Sequence, residues 1–365
     1  MDNTSNLGDL RITGPVSVEQ QTAPLPAIKP YCILLLGLTG TGKSNFNDGL
    51  TIKQFIEVLS GGADLKISGN SLESVTQNIT LYRLVNVEFS AFSRPIFLID
   101  CPGFCDNKTS EFKLITMIQE WMHNVAIQGI LPEARTISTI LYFHRITDKR
   151  LSSTQRETLR LIGSLVGDPY HNQTRLAIVT TMWDTLWRPT QIEEAEIRFT
   201  QLKESIKQFL GPIADQALRF HNTQNSALHI INDADTMCLP PGVLAIVQRS
   251  LRESPLRTFS NQNLRNAPFA DQLLKLLQDR ISRLEQSIRI LDDDIQQLEQ
   301  DGESDPSSRD ELRGMKSNAE EALRTVASEH ASLVAVLQRE PVTRPSIARR
   351  FLNYMQNNLP SGSQS

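Results

Sequence analysis

Hydrophobic positions in this chain follow two regimes. Between residues 31 and 235, short apolar runs alternate with amphipathic stretches. Residues 32–36, 95–100, 137–143 and 175–180 are nearly continuous apolar runs of strand length, as expected of strands buried on both faces. Residues 78–85 and 218–221 complete six predicted strands. The stretches between them carry helical spacing. Leu114, Ile115, Ile118, Trp121, Met122 and Val125 make one apolar face; Leu159, Ile162 and Leu165 make another. Helices are also predicted over 51–59 and 192–210. Strands alternating with helices imply an α/β fold whose mostly parallel sheet has helices on both faces.

Beyond residue 269 the period changes. Leu274, Leu277, Ile281, Leu284, Ile288, Leu291, Ile295 and Leu298 are spaced alternately by three and four, a heptad seam. Residues 301–306, Asp-Gly-Glu-Ser-Asp-Pro, break that helix. A second, less regular seam follows at Leu312, Met315, Ala319, Ala322, Val326, Leu333 and Leu337. An antiparallel coiled-coil hairpin is the simplest arrangement. It either projects and self-associates or lies on the α/β domain, with projection preferred. The predicted organisation is a flexible arm (1–30, with Pro24, Pro26 and Pro30), the α/β domain (31–235), a proline-bearing linker (236–268), the helical hairpin (269–340) and a tail (341–365).

Composition narrows the class. The 365 residues are 39% hydrophobic and 21% charged, which suits a globular core. A net charge of -4 gives no reason to expect nucleic acid as the partner. Cys32, Cys101, Cys105 and Cys238 sit at no zinc spacing and suggest no disulfide framework. No apolar run is long enough to span a membrane, so a cytoplasmic protein without a transmembrane segment is expected.

The chemistry begins after the first predicted strand. Gly37-Leu38-Thr39-Gly40-Thr41-Gly42-Lys43-Ser44 fits the phosphate-cradling loop G-x-x-x-x-G-K-[ST]. Its glycines let backbone N–H groups surround a β-phosphate, Lys43 adds positive charge, and the Ser44 hydroxyl can ligate Mg²⁺. Asn45 follows where a small hydroxyl residue is common. Asp100-Cys101-Pro102-Gly103 ends an apolar strand. There Asp100 can hold Mg²⁺ through water, and the Gly103 N–H can sense a γ-phosphate. Thr76, upstream of the second strand, is the candidate first switch and a metal ligand; Thr80 competes but falls inside the strand-like run. In Thr180-Thr181-Met182-Trp183-Asp184 the carboxylate can accept both the N1–H and N2 hydrogens of guanine, a pair adenine lacks. Asp184 read as a helix N-cap is the alternative. Asn225-Ser226-Ala227 follows the last strand, where a backbone N–H can meet guanine O6.

Together GLTGTGKS, LESVT, DCPGF, YFHRITD, VTTMWD and SAL resemble, in that order, the avirulence-induced-gene-type G domains, particularly their fungal members. Relatives of that family include the immunity-associated GTPases, the septins and the Toc GTPases. The resemblance covers about residues 31–235. It implies a P-loop GTPase that binds GTP or GDP with Mg²⁺, hydrolyses GTP slowly and self-associates as a dimer or oligomer in the GTP state. It carries over Gly37, Gly42, Lys43 and Ser44 for phosphates and metal, Thr76 and Asp100 with Gly103 for the switches, and Asp184 for the base. The chain also departs from the pattern. Thr181-Met182 replaces the usual Asn/Thr-Lys pair, and Phe104 stands where many small GTPases place a water-orienting glutamine. A GTP/GDP-binding scaffold without hydrolysis is therefore the alternative. Arg145 is either a cation that assists hydrolysis across a subunit contact or a local strand cap.

Overall fold

The computed structural model describes residues 5–23, 30–37, 50–61, 78–90, 94–103, 110–127, 137–166, 174–211, 214, 216–235, 269–300 and 306–338. Among them the strands are β1 (Ser5–Leu7), β2 (Leu10–Gln20), β3 (Tyr31–Gly37), β4 (Thr80–Phe89), β5 (Arg94–Asp100), β6 (Thr139–Arg145), β7 (Arg175–Thr181) and β8 (Gln216–Arg219). The helices are α1 (Leu50–Leu59), α2 (Glu111–Ile127), α3 (Ser153–Val166), α4 (Pro189–Leu210), α5 (Gln224–Asp235), α6 (Ala270–Gln300) and α7 (Pro306–Gln338). The strands form one sheet in the order β1-β2-β4-β5-β3-β6-β7-β8. From β5 to β8 every neighbouring pair is parallel; β1, β2 and β4 add an antiparallel margin beside β5.

Every residue of β3 is buried, because a central strand has helices over both faces. Alternation along it divides the core in two. Cys32, Leu34 and Leu36 join Tyr142 and Ile178 under α2, α3 and α4. Ile33 and Leu35 join Phe143 and Val179 under α1 and α5. The expected face of α2 is present, with Leu114, Ile115 and Ile118 buried in the first cluster.

The N-terminal arm differs from expectation. Residues 5–7 and 10–20 are extended, as the prolines farther on suggested, but they are sheet strands rather than a flexible arm. Leu10, Ile12, Val16 and Val18 alternate with polar residues, and Leu10 and Val18 are buried on the sheet margin. Gly14-Pro15 interrupts that alternation, since proline removes a ladder N–H. The sheet absorbs the interruption with a register shift between Ile12 and Ser17 against β4. There Asn86, at φ 61°, donates its side-chain amide to the Pro15 carbonyl at 2.6 Å.

A two-residue turn at Gly8-Asp9 ties this margin to the domain. Asp9 N–H donates to Asn232 Oδ1 on α5 at 2.7 Å, and Ser90 N–H donates to the Asp9 carbonyl at 2.9 Å. Gly8 has φ +58°, and an added Cβ would lie 2.5 Å from Asn232 Oδ1. Gly8→Ala is therefore expected to destabilise the protein by about 1–3 kcal/mol through left-handed strain plus this clash. Urea unfolding measures it, and an unchanged midpoint would show that the turn holds nothing.

The two C-terminal helices form the expected hairpin. Lys316 pairs with Asp292 at 2.5 Å and Arg313 with Glu299 at 2.9 Å, so residue numbers fall on one helix as they rise on the other. The seam holds with one exception: Met315 is 51% exposed. Projection is only half of the arrangement. Phe269, Leu273, Leu276 and Leu277 are each at most 1% exposed and join the core cluster under α2 and α3. At about 1.5–3 kcal/mol per buried apolar side chain, these four suffice to dock the proximal part of α6 on the domain. Farther along, Leu291 and Ile295 are buried but lie outside that cluster. No helix among the described residues is long and apolar enough to cross a membrane.

Candidate functional site

Parallel strands end together, so their carboxyl termini share one edge of the sheet. Strand β3 is where connections depart in both directions, β5 lying on one side and β6 on the other. Such switch points open a crevice at the carboxyl edge. Gly37 is the last residue of β3, and an added Cβ would sit 3.4 Å from Phe143 Cβ and 3.5 Å from the Phe143 carbonyl oxygen. Thr39, Gly40, Thr41, Gly42, Lys43, Ser44, Asn45 and Thr76 lie outside the described residues, as does Phe104.

Asp100 ends β5, opposite Thr80 at the start of β4 and in parallel register with Leu35. It is 4% exposed, and burial pushes its carboxyl up to about 6, while Lys53 of α1 pulls the other way. The same environment drives the Tyr82 phenol to about 12, chiefly by burial and then by the Asp100 charge. A buried carboxylate lacking full compensation is a good ligand for a hard cation. Asp100 therefore fits Mg²⁺, which would supply the missing positive charge there. Among the described residues no group of three His, Cys, Asp or Glu side chains forms a metal cluster. Cys101, Pro102 and Gly103 continue from Asp100 and are buried.

The next station follows β7. Met182 takes a left-handed conformation, φ 67° and ψ 23°, and opens a single 3-10 turn over Trp183–Thr185. Trp183 anchors that turn. Its indole N–H donates to Thr180 Oγ1 at 2.9 Å, and its ring meets Phe199 edge-on at 5.7 Å. Arg219 of β8 lies over both rings, 4.7 Å from Trp183 and 4.3 Å from Phe199. Glu196 holds the guanidinium with two hydrogen bonds of 2.8 and 2.6 Å. Anchoring Trp183 inward leaves Asp184 exposed at the carboxyl edge. One of its oxygens accepts a hydrogen bond from Asn222 Nδ2 at 3.1 Å. Asn222, also left-handed at φ 55°, lies in the segment between β8 and α5.

Ser226 and Ala227 sit slightly farther on, inside α5. Thr223 Oγ1 accepts the Ser226 N–H at 3.2 Å, and the Thr223 carbonyl accepts the Ala227 N–H at 3.0 Å. Their amides are thus engaged in starting the helix, and the side chain that reaches Asp184 is Asn222. Arg145 ends β6 and pairs with Asp148 at 3.2 Å. Lys53, Trp183, Arg219 and Asn222 had no role assigned from sequence. A left-handed Asn right after a strand is a turn signal that points to Asn222; the Arg219–Glu196 pair, 23 residues apart, leaves no local signal.

The edge therefore presents, from β5 across to β8, a metal-suited carboxylate, a glycine strand end leading into the phosphate-loop sequence, and an outward carboxylate held by an amide. No protein-family model and no curated protein matches the chain. Among solved structures it is similar to a dimerization-deficient mutant of Toc33 from Arabidopsis thaliana. That match has 16% identity and a TM-score of 0.35, covering 63% of this chain and 85% of the other. It is also similar to a structure concerned with atToc33 and psToc159, chloroplast translocon components for whose GTPase activity dimerization is important. There the identity is 15% and the TM-score 0.34, covering 64% of this chain and 85% of the other.

Proposed function

We propose that the protein is a guanine-nucleotide-binding P-loop GTPase, a G domain of the avirulence-induced-gene type and of its fungal branch. It binds GTP and GDP with Mg²⁺, hydrolyses GTP slowly, works in the cytoplasm and self-associates in the GTP state. The observation that carries the reading is the shared carboxyl edge. Gly37, Asp100 to Gly103 and Asp184 come from distant parts of the sequence, yet all stand at or just beyond the ends of parallel strands around the switch point. Phosphate, metal and base recognition need that adjacency. In this reading Lys43 and the loop amides hold the phosphates, Ser44, Thr76 and Asp100 serve Mg²⁺, and Asp184 reads the base. Met182 covers the base with its alkyl stem, without the charge of the more usual lysine.

A second reading, a GTP/GDP-binding scaffold without hydrolysis, is favoured by Phe104, which brings no group able to orient water after Gly103. Single-turnover hydrolysis of GTP over a range of protein concentrations separates the two. A rate that climbs with concentration is expected for the GTPase, whereas no phosphate release at any concentration would leave the scaffold. The same preparation tests base choice. GTP should displace labelled GDP at least 100-fold better than ATP, since adenine leaves the Asp184 carboxylate unsatisfied. Equal displacement by ATP would sink both readings.

A further inference from the structure

We propose that Arg219, held by Glu196, is a positioning residue for base recognition, which sets Asp184 through Trp183 and so governs how strictly the site demands the N2 amine of guanine. This rests on the reading of Asp184 as the group that meets the base. The turn carrying Asp184 is mounted on neither of the two large clusters that fill the faces of the sheet. Trp183 belongs to a third, small cluster with Ile146, Ala195 and Phe199. That mounting can shift while both large clusters stay as they are. Arg219 closes it from β8. Its guanidinium lies over the Trp183 and Phe199 rings, 4.7 and 4.3 Å from their centroids, a cation against the negative faces of two aromatic systems.

A partly exposed ion pair holds little by charge alone, and the Arg219 and Glu196 side chains are 36% and 46% exposed. What distinguishes this pair is its geometry. Nη1 donates to Oε1 at 2.8 Å and Nη2 to Oε2 at 2.6 Å, which fixes the plane of the guanidinium as well as its place. The pair ties β8 to α4, the two elements that frame the indole. The residues after Arg219 follow the same partner. His221 lies 6.1 Å from Trp183 between ring centroids, and Asn222 donates to Asp184 Oδ2 at 3.1 Å. Residues 219, 221 and 222 thus all meet Trp183 or Asp184, so displacing Arg219 disturbs both the carboxylate and the amide that holds it. Guanine must present two donors to that carboxylate at once. Hydrogen bonds weaken steeply as their angle closes, so a small rotation of Asp184 costs the second bond, to the N2 amine, before the rest of the nucleotide is affected.

The test displaces labelled GDP from the full-length chain with GDP and with inosine diphosphate, whose base lacks only the N2 amine. The parent is expected to prefer GDP by about 10-fold or more, the worth of one hydrogen bond to a charged group. Arg219→Lys keeps the charge but loses the fork and the flat face, and its preference should fall to about 3-fold or less. Glu196→Gln leaves the fork one good acceptor and should fall between the two. It replaces a half-exposed side chain outside the small cluster, so it carries the test even if Arg219→Lys lowers stability. The indole N–H of Trp183, which donates to Thr180 Oγ1 at 2.9 Å, should show a moved NMR signal in both variants. A purely structural role would weaken GDP and inosine diphosphate by the same factor. That result, or a parental preference in both variants, overturns the proposal and leaves Asp184 as the base reader. A parent that binds the two nucleotides equally overturns that reading and the proposal together.

Discussion

Asp184→Asn is expected to weaken GTP and GDP binding by about 100-fold or more and to raise affinity for xanthine nucleotides. Guanine offers two donors, N1–H and the N2 amine, and a carboxylate accepts both. Hydrogen bonds to a charged group are worth about 1.5–3 kcal/mol each, so losing one and reducing the other to a neutral bond suffices for the stated factor. Asparagine keeps one acceptor but turns its amide toward a guanine donor. Xanthine replaces the amine with a carbonyl, which the same amide satisfies. The structure supports using this substitution because Asp184 is exposed and contributes no core contact. Asn222 remains beside it, able to donate to the new carbonyl as it now donates to Oδ2 at 3.1 Å. The fold should survive, and recovered binding of xanthosine triphosphate is a readout that misfolding cannot mimic. Competition against labelled GDP measures both arms. Parental affinity for GTP in this variant would mean that Asp184 does not read the base.

The parallel core of this fold was readable because burial on both faces leaves unbroken apolar runs inside β3, β6 and β7, at Cys32–Leu36, Ile140–Phe143 and Leu176–Val179. Asp100 and Asp184 were readable for a related reason: each breaks or follows an apolar run at a strand end. What escaped depended on distant partners. The period-2 pattern from Leu10 to Val18 was present, but Pro15 obscured it, and only the bulge at Asn86 shows how the sheet accepts that residue. The anchoring of Trp183 needs Phe199, Arg219 and Glu196, which converge only once α4 and β8 are in place. Asn222 is a case between the two. Its turn chemistry was local, but its contact with Asp184 spans 38 residues.

The hairpin carries the other large effect, because its seam predicted the partner helix and concealed a second partner. Arg280 falls beside the heptad positions, and in a free coiled coil it would be a solvated flank residue. Here its side chain is 10% exposed and pairs at 3.6 Å with Glu111, which is 1% exposed at the first turn of α2. Arg280→Ala is expected to destabilise the protein by about 3–5 kcal/mol, since it strands a buried carboxylate whose Oε2 already lacks a hydrogen bond. Against a total stability of about 5–15 kcal/mol, that is enough to release α6 from the domain. The double variant Glu111→Gln with Arg280→Met should recover most of the loss, because it removes both charges and keeps the volume. Arg313→Ala is the control: its pair with Glu299 is solvent-exposed, at 55% and 46%, and its loss should change little. Urea unfolding gives the magnitudes, and amide exchange locates them. Protection should fall first around Leu273, Leu276 and Leu277, while β3 and β6 hold until the global transition. If Arg280→Ala unfolds at the parental midpoint with α6 still protected, apolar burial alone docks the hairpin and the ion pair adds nothing.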